Sequence, residues 1–293
     1  MWVLFAITTS IVNAIYYLCN QNTRLSTSVF MIYRGFVVAL LAVPFLSVYQ
    51  PVGAWQFYAI AILQGLLVSY NDLQYLKTTR RYGAETVSSI TPLSVAVVFG
   101  MWCFIEPMIL RKYMSSPVRS LCIIAALCGI VYALMQYQRV RLSKAAFIML
   151  IPVILVSTIV SVCNKTIMNY AEDSAFGLCW WRVFVTSLTI GIIHLILYIK
   201  RRENVADLTA KQNLIGTWIF ILMPMSMVSK NMAMFYTANP AYVEAIVYMS
   251  LLWLMLFNRK LHFIKFKKMY MPMNKKWALL MLVSAIVLIV ATH

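Results

Sequence analysis

Long apolar segments alternate with short polar turns along almost the whole chain. Each apolar segment is close to the ~20 residues that a helix needs to cross the hydrocarbon layer of a membrane. The pattern therefore predicts an all-α integral membrane protein with ten transmembrane helices and short connections. The predicted spans are residues 2–20, 29–49, 55–76, 84–105, 118–137, 146–168, 175–199, 213–237, 240–258 and 276–292.

Short polar signatures recur in the same order in the two halves of the chain. A Cys-Asn pair lies near the end of the first and sixth spans, an arginine lies early in the second and seventh, and an asparagine lies in the third and eighth. The matching segments are Cys19-Asn20 with Cys163-Asn164, Arg34 with Arg182, and Tyr70-Asn71-Asp72 with Lys230-Asn231-Met232. These matches indicate duplication of a five-helix unit, with repeats at residues 1–144 and 145–293.

The odd number of helices in each repeat has a geometric consequence. The second copy must enter the membrane from the opposite side, so we expect two inverted repeats around a central cavity. Inverted repeats with a polar site at their interface are typical of secondary transporters. Ten helices can enclose such a site within one chain, so a monomer is sufficient.

The composition agrees with a membrane protein and argues against other classes. Hydrophobic residues make up 62% of the chain and charged residues 11%, whereas soluble domains contain about 25% charged residues. The net charge of +17 comes from basic residues in short turns, which is typical of contact with anionic lipid rather than nucleic acid. Because no phosphate-binding loop, catalytic triad or metal-ligand spacing is present, we expect no catalytic residues, no cofactor and no metal.

Two opposite charges lie within one predicted pair of membrane helices. Lys230 is in the eighth span and Glu244 in the ninth, on either side of Asn239-Pro240. Helix geometry puts Lys230 roughly 13 Å from that break, near the middle of a layer about 30 Å thick, where a charge normally faces a partner or a cavity. Two interpretations remain open. The two residues form an ion pair that joins the helices, or Lys230 binds an anionic group and Glu244 a cationic group or a coupled proton.

Other polar and aromatic residues in the spans are candidates for the same site. Asp72 corresponds in position to the Lys230 segment and would present a carboxylate from the other half; alternatively, it pairs with Lys77 or Arg80 near the membrane surface. Asparagines in membrane helices also join neighbouring helices without a ligand. The further candidates for solute binding are Asn231, Asn71, Asn164, Lys165, Asn20, Tyr70, Trp181 and Tyr248.

Three residues are candidates for gating or structural roles. Arg34 and Arg182 lie early in equivalent spans. Snorkelling to the headgroups explains a single such arginine, and their occurrence in both repeats favours a shared structural role at the cavity mouth over direct contact with a solute. Pro92 lies inside the fourth predicted span, where it would free a carbonyl one turn earlier and produce a kink.

Several of these features match one group of known transporters. The features are five-plus-five helices in 293 residues, the early arginines Arg34 and Arg182, the Tyr75-Leu76-Lys77 end of the third span, and the stretch from Pro92 to Glu106. In these respects the chain resembles the drug/metabolite transporter superfamily, particularly its EamA-type members. The resemblance implies transport of a small solute.

The expected function is a secondary transporter that moves a small polar organic metabolite by alternating access. Mixed charges inside the membrane favour an amino-acid-like, zwitterionic or anionic solute. A cationic or lipid-linked solute bound by Asp72 and Glu244 is one alternative, and an integral membrane enzyme is an alternative of another class. The expected partners are the solute, membrane lipids and optionally a coupled proton, and the expected location is the bacterial inner (plasma) membrane.

Overall fold

The fold is helical throughout the part of the chain that the computed structural model describes, which is residues 1–20, 27–82, 92–137, 144–171, 174–200, 220–250, 252–253, 256–257 and 275–292. The α-helices are α1 (Trp2–Asn20), α2 (Thr27–Leu46), α3 (Trp55–Tyr82), α4 (Leu93–Ile105), α5 (Pro107–Ser115), α6 (Pro117–Tyr137), α7 (Lys144–Ile167), α8 (Ala175–Lys200), α9 (Leu222–Phe235), α10 (Pro240–Val247) and α11 (Lys275–Thr292). A short 3-10 helix (Met168–Tyr170) extends α7. The predicted all-α class is confirmed for these residues.

Four of the described helices are long and apolar enough to cross a membrane, and the chain is therefore typical of a multi-pass membrane protein. These four are α2, α6, α7 with its 3-10 extension, and α8. The bent pair of α4 and α5 gives a fifth candidate if both helices belong to one broken span. The predicted spans 84–105, 213–237 and 240–258 include residues outside the described part. Ten spans therefore remain a prediction.

The chain turns by 102° between α4 and α5, and a proline explains where this bend occurs. Pro107 is the first residue of α5 and has no backbone N–H to continue the α4 hydrogen bonds. Its ring also disfavours the helical conformation for the preceding residue, and Glu106 has φ −121° and ψ 79°. The kink predicted at Pro92 is at a different place from this bend. Pro92 directly precedes α4, and because residues 83–91 lie outside the described part, that kink stays a prediction.

The start of α10 follows from two consecutive residues. The Asn239 side chain accepts a hydrogen bond of 3.0 Å from the Ala241 N–H, which satisfies one of the free donors at the helix N-terminus. Pro240 follows at the first helical position, where its missing N–H costs nothing. The predicted helix start at Asn239-Pro240 is confirmed.

The helices pack in pairs that connect the two halves of the chain. Helix α1 packs on α9 and α10, and α3 packs on α7 and α8. Helix α2 packs along α8, α4 packs on α7 and α10, and α6 packs on α11. Residues from both halves therefore meet along α3, α7 and α8, which is where the buried polar side chains described below are located.

Two glycines allow α2 and α8 to cross with their backbones in contact. A Cβ atom added to Gly35 would overlap the backbone of Gly191 and would lie 2.9 Å from the Ser187 carbonyl oxygen. Small residues at a helix crossing permit this close approach, which gains van der Waals contact in a membrane where no hydrophobic force drives helices together. Gly35 is thus required by space rather than by backbone conformation, and a Cβ atom on Gly191 would lie 3.2 Å from the Phe36 backbone nitrogen.

The crossing predicts that Gly35→Ala destabilises the protein. The added methyl group forces the two backbones apart, and overpacking of this kind typically costs about 1–3 kcal/mol. Gly100→Ala on α4 is the matched control, because nothing lies within 4 Å of a Cβ atom there and alanine favours a helix by about 1 kcal/mol over glycine. Thermal unfolding in detergent should show a lower Tm for Gly35→Ala alone. Equal Tm values for the two variants would contradict the close crossing.

Candidate functional site

The candidate site is organised by polar residues on one face of α7. Ser157, Ser161 and Asn164 are spaced by four and three residues, and Lys165 lies four residues after Ser161, so the four side chains lie on the same side of the helix. Each of the four bonds to a different partner on a neighbouring helix. The face therefore joins α7 to α3, α9 and α10 through polar contacts.

Lys230 and Glu244 form an ion pair beside this face. The Lys230 Nζ lies 2.7 Å from the Glu244 Oε1, and the Ser161 hydroxyl donates a hydrogen bond to the same carboxylate oxygen. The Glu244 side chain is 7% exposed and that of Lys230 is 25% exposed. The structure thus brings together the two charges that sequence analysis placed on adjacent helices, and the pair joins α9 to α10.

Lys165 binds the end of α9. Its Nζ donates hydrogen bonds to the carbonyl oxygens of Met234, at 2.8 Å, and Thr237, at 2.6 Å. The last carbonyls of a helix have no partner within the helix and carry a partial negative charge. The lysine ammonium therefore completes the hydrogen bonding at the C-terminus of α9 and fixes the turn that leads to α10.

A second polar cluster links both halves of the chain through Gln64. The Gln64 Nε2 donates hydrogen bonds to the Asn164 Oδ1, at 2.6 Å, and to the Val160 carbonyl oxygen, at 3.0 Å. The Gln64 Oε1 accepts a hydrogen bond of 2.7 Å from the Arg182 Nε. Gln64, Asn164 and Arg182 are all buried. Helices α3, α7 and α8 are therefore held together by one continuous set of hydrogen bonds.

Sequence analysis did not include Gln64 among the candidates. It is the one polar side chain in the run from Ala59 to Val68, and a lone amide among apolar residues in a membrane helix needs a partner on another helix. That signal was present in the sequence. The partners of Gln64 could not be predicted from the sequence, because Asn164 and Arg182 belong to the other half of the chain.

Arg34 and Asp72 form a second ion pair, between α2 and α3. The side chains are partly exposed, at 18% for Arg34 and 25% for Asp72. The expected alternative for Asp72 was pairing with Lys77 or Arg80, whose side chains lie outside the described residues. The observed partner is Arg34, so a candidate for solute binding and a candidate for gating belong to one contact.

Asn231 is fully buried, and within the described part of the chain neither atom of its amide group has a hydrogen-bond partner. A buried amide without partners costs free energy. Its predicted equivalent, Asn71, is only half-buried and accepts a hydrogen bond of 3.4 Å from Ser157. Asn231 therefore differs from its counterpart in lacking a partner.

The other candidates lie at different places in the structure. Tyr248 shares a hydrogen bond of 3.0 Å with Ser94, and the Trp181 indole donates one of 3.2 Å to the Tyr49 carbonyl oxygen. Tyr70 is 44% exposed. Asn20 ends α1, and its side chain is outside the described residues. Of these four, Tyr248 lies nearest in sequence to the Lys230–Glu244 pair, on the residue after α10.

Comparisons with known proteins leave the chain without an assigned family. No model of a known protein family matches it, and no curated protein matches it. The resemblance to the drug/metabolite transporters therefore rests on the residues named above.

The buried ion pair predicts a non-additive effect of substitution. Lys230→Met or Glu244→Gln alone should lower the free energy of unfolding by about 3 kcal/mol, because each leaves the remaining polar or charged group without its partner. The double variant Lys230→Met/Glu244→Gln should recover most of that loss, as removal of both charges is often neutral. Lys112→Met, at an exposed lysine on α5, is the control and should have no effect. Additive losses measured by unfolding in detergent would mean that the two side chains do not interact.

Proposed function

We propose that the protein is a secondary transporter that moves a small polar organic metabolite across a membrane by alternating access. In this proposal the chain consists of two inverted five-helix repeats, residues 1–144 and 145–293. The observation that carries the proposal is the polar cluster of Gln64 with Asn164 and Arg182, which is buried exactly where α3 of one half meets α7 and α8 of the other. A transported solute must bind between the halves of such a fold.

The pattern of helix contacts supports the duplication. The repeats match α1 with α7, α2 with α8, α3 with α9, α4 with α10 and α6 with α11. If each helix is exchanged for its counterpart, the α1–α9 contact becomes the α7–α3 contact, and the α4–α7 contact becomes the α10–α1 contact. All four of these contacts are observed. The α2–α8, α4–α10 and α6–α11 contacts turn into themselves. A two-fold axis between inverted repeats has this property.

The charges of the site favour an anionic or zwitterionic solute over a cationic one. Binding of a cation would rely on Glu244 or Asp72, the carboxylates considered for that role. Each of them is already neutralised by a basic side chain, Lys230 and Arg34 respectively. A cationic solute would have to compete with these intramolecular partners. The charges of the site that have no carboxylate partner among the described residues, on Arg182 and Lys165, are both positive.

Solute exchange in proteoliposomes tests the proposal. Purified protein in liposomes loaded with one unlabelled metabolite should accelerate the uptake of the same labelled metabolite, because alternating access exchanges solute faster than it moves solute in one direction. The panel should cover amino acids, carboxylates, amines and neutral polyols. Lys230→Met/Glu244→Gln should reduce the exchange rate at least tenfold, whereas Lys112→Met should match the unmodified protein.

Two controls accompany this experiment. Protein-free liposomes measure leakage, and size-exclusion chromatography shows that each variant remains folded. Uptake that neither saturates nor responds to internal solute would identify a channel instead of a transporter. Absence of exchange for every class of solute, in liposomes that contain folded protein, would refute the proposed function.

A further inference from the structure

We infer that Arg182 is the binding site for a carboxylate group of the transported solute. This inference rests on the proposed transport function and adds to it the chemical class of the solute and the residue that recognises it. Sequence analysis favoured a structural role for Arg182 at the cavity mouth. The structure instead gives it a buried position at the contact between the two halves.

The first observation is that the Arg182 charge is buried without a counter-ion among the described residues. Only 4% of the residue is exposed, and a guanidinium remains protonated under all ordinary conditions. In the part of the chain that the structure describes, its hydrogen-bond partner is the neutral amide of Gln64, and no carboxylate pairs with it. An unpaired charge in a low-dielectric interior is costly. An anion from outside the chain would neutralise it.

The equivalent arginine of the first half shows what the second half lacks. Arg34 is more exposed and is nevertheless paired with Asp72. The repeat matches Asp72 with Met232, so the second half carries an uncharged side chain where the first half carries the carboxylate. The two halves thus share the arginine but differ in the anion that accompanies it. A solute carboxylate would take the role that Asp72 has in the first half.

The terminal amino groups of Arg182 and the amide of Asn231 are the groups that such a ligand would bind. Gln64 binds the Nε of Arg182 and leaves the two terminal amino groups of the guanidinium, which can donate two parallel hydrogen bonds to a carboxylate. Asn231 lies on α9, which packs on the helix that carries Arg182, and its buried amide has no partner in the described structure. An amide of this kind is available for a polar group of the same ligand.

The balance of charge at the site favours an anionic group. The Lys230–Glu244 pair is neutral overall and is connected to the Arg182 cluster through α7, where Ser161 and Asn164 are one turn apart. Two positive charges in this group of residues then have no carboxylate partner in the described structure: Arg182, and Lys165, which binds the carbonyl oxygens at the end of α9. One carboxylate neutralises the charge of Arg182, which is the more deeply buried of the two. The geometry and the charge together fit a monocarboxylate or the carboxylate of a zwitterion.

Matched pairs of carboxylates and carboxamides test the inference on the purified full-length protein. Propionate with propionamide, lactate with lactamide and alanine with alaninamide each differ mainly in the charge of one group. At least one carboxylate should raise the Tm in a concentration-dependent manner, and its amide should not. Arg182→Gln should weaken binding of that carboxylate by about 10- to 100-fold, the loss expected for a charge-assisted pair.

Further variants separate binding from folding. Arg182→Lys keeps the charge but loses the planar fork, so it should bind the carboxylate with intermediate affinity. Arg111→Gln removes an exposed arginine on α5 and should leave carboxylate affinity unchanged. If Arg182→Gln does not fold, the comparison of acids with amides on the unmodified protein and on Arg182→Lys still decides the matter.

Several results would overturn the inference without touching the proposed function. These are stabilisation by the amides as strongly as by the acids, stabilisation by inorganic phosphate or glycerol phosphate but by no carboxylate, and full carboxylate affinity in folded Arg182→Gln. Exchange of neutral or cationic solutes alone in proteoliposomes would likewise leave transport intact and refute the carboxylate site. Carboxylate binding that depends on Arg182, in protein that exchanges no solute, would refute transport and retain the site.

Discussion

Polar groups inside an apolar protein interior must find partners there, and the polar face of α7 meets that requirement for much of this molecule. Through Ser161 it supports the Lys230–Glu244 pair, through Asn164 it binds Gln64, and through Lys165 it completes the end of α9. Each of these contacts also fixes the position of another helix, because an unsatisfied polar group in a low-dielectric medium costs more than a satisfied one gains. The same residues therefore set both the arrangement of the helices and the chemistry of the candidate site.

Features determined by local physics could be predicted from the sequence. Apolar segments long enough to cross a membrane indicated the helical class, since a chain in lipid must satisfy its backbone hydrogen bonds internally. Asn239-Pro240 indicated the start of α10, because an asparagine cap and a following proline act within one helical turn. The meeting of Lys230 with Glu244 was among the possibilities considered, because a short connection brings both residues onto adjacent helices.

Features that depend on the packing of distant segments could not be predicted in this way. Asp72 pairs with Arg34 on another helix, which depends on how α2 lies against α3. Gln64 obtains its partners from residues about a hundred positions away. Helix α5 was not predicted at all, although Pro107 marks its start, because its nine residues are too few and too polar for the pattern of spans. In each case the sequence showed that a residue needs a partner, or that the chain changes direction. It did not show which residue is the partner or where the chain continues.

The contact between Gly35 and Gly191 has a consequence for any relative movement of the two halves. No side chain separates the two backbones at that crossing, so a change of rotamer cannot loosen it gradually, and the halves must either separate there or turn about it. In the proposed duplicated architecture α2 and α8 are each other's counterparts, so the axis that relates the repeats passes between them. With Arg34 matched to Arg182, this axis lies about one helical turn from the glycine contact. A pivot on this axis would give inward- and outward-facing forms of equivalent geometry, so that their relative populations would be set by the side chains in which the two halves differ.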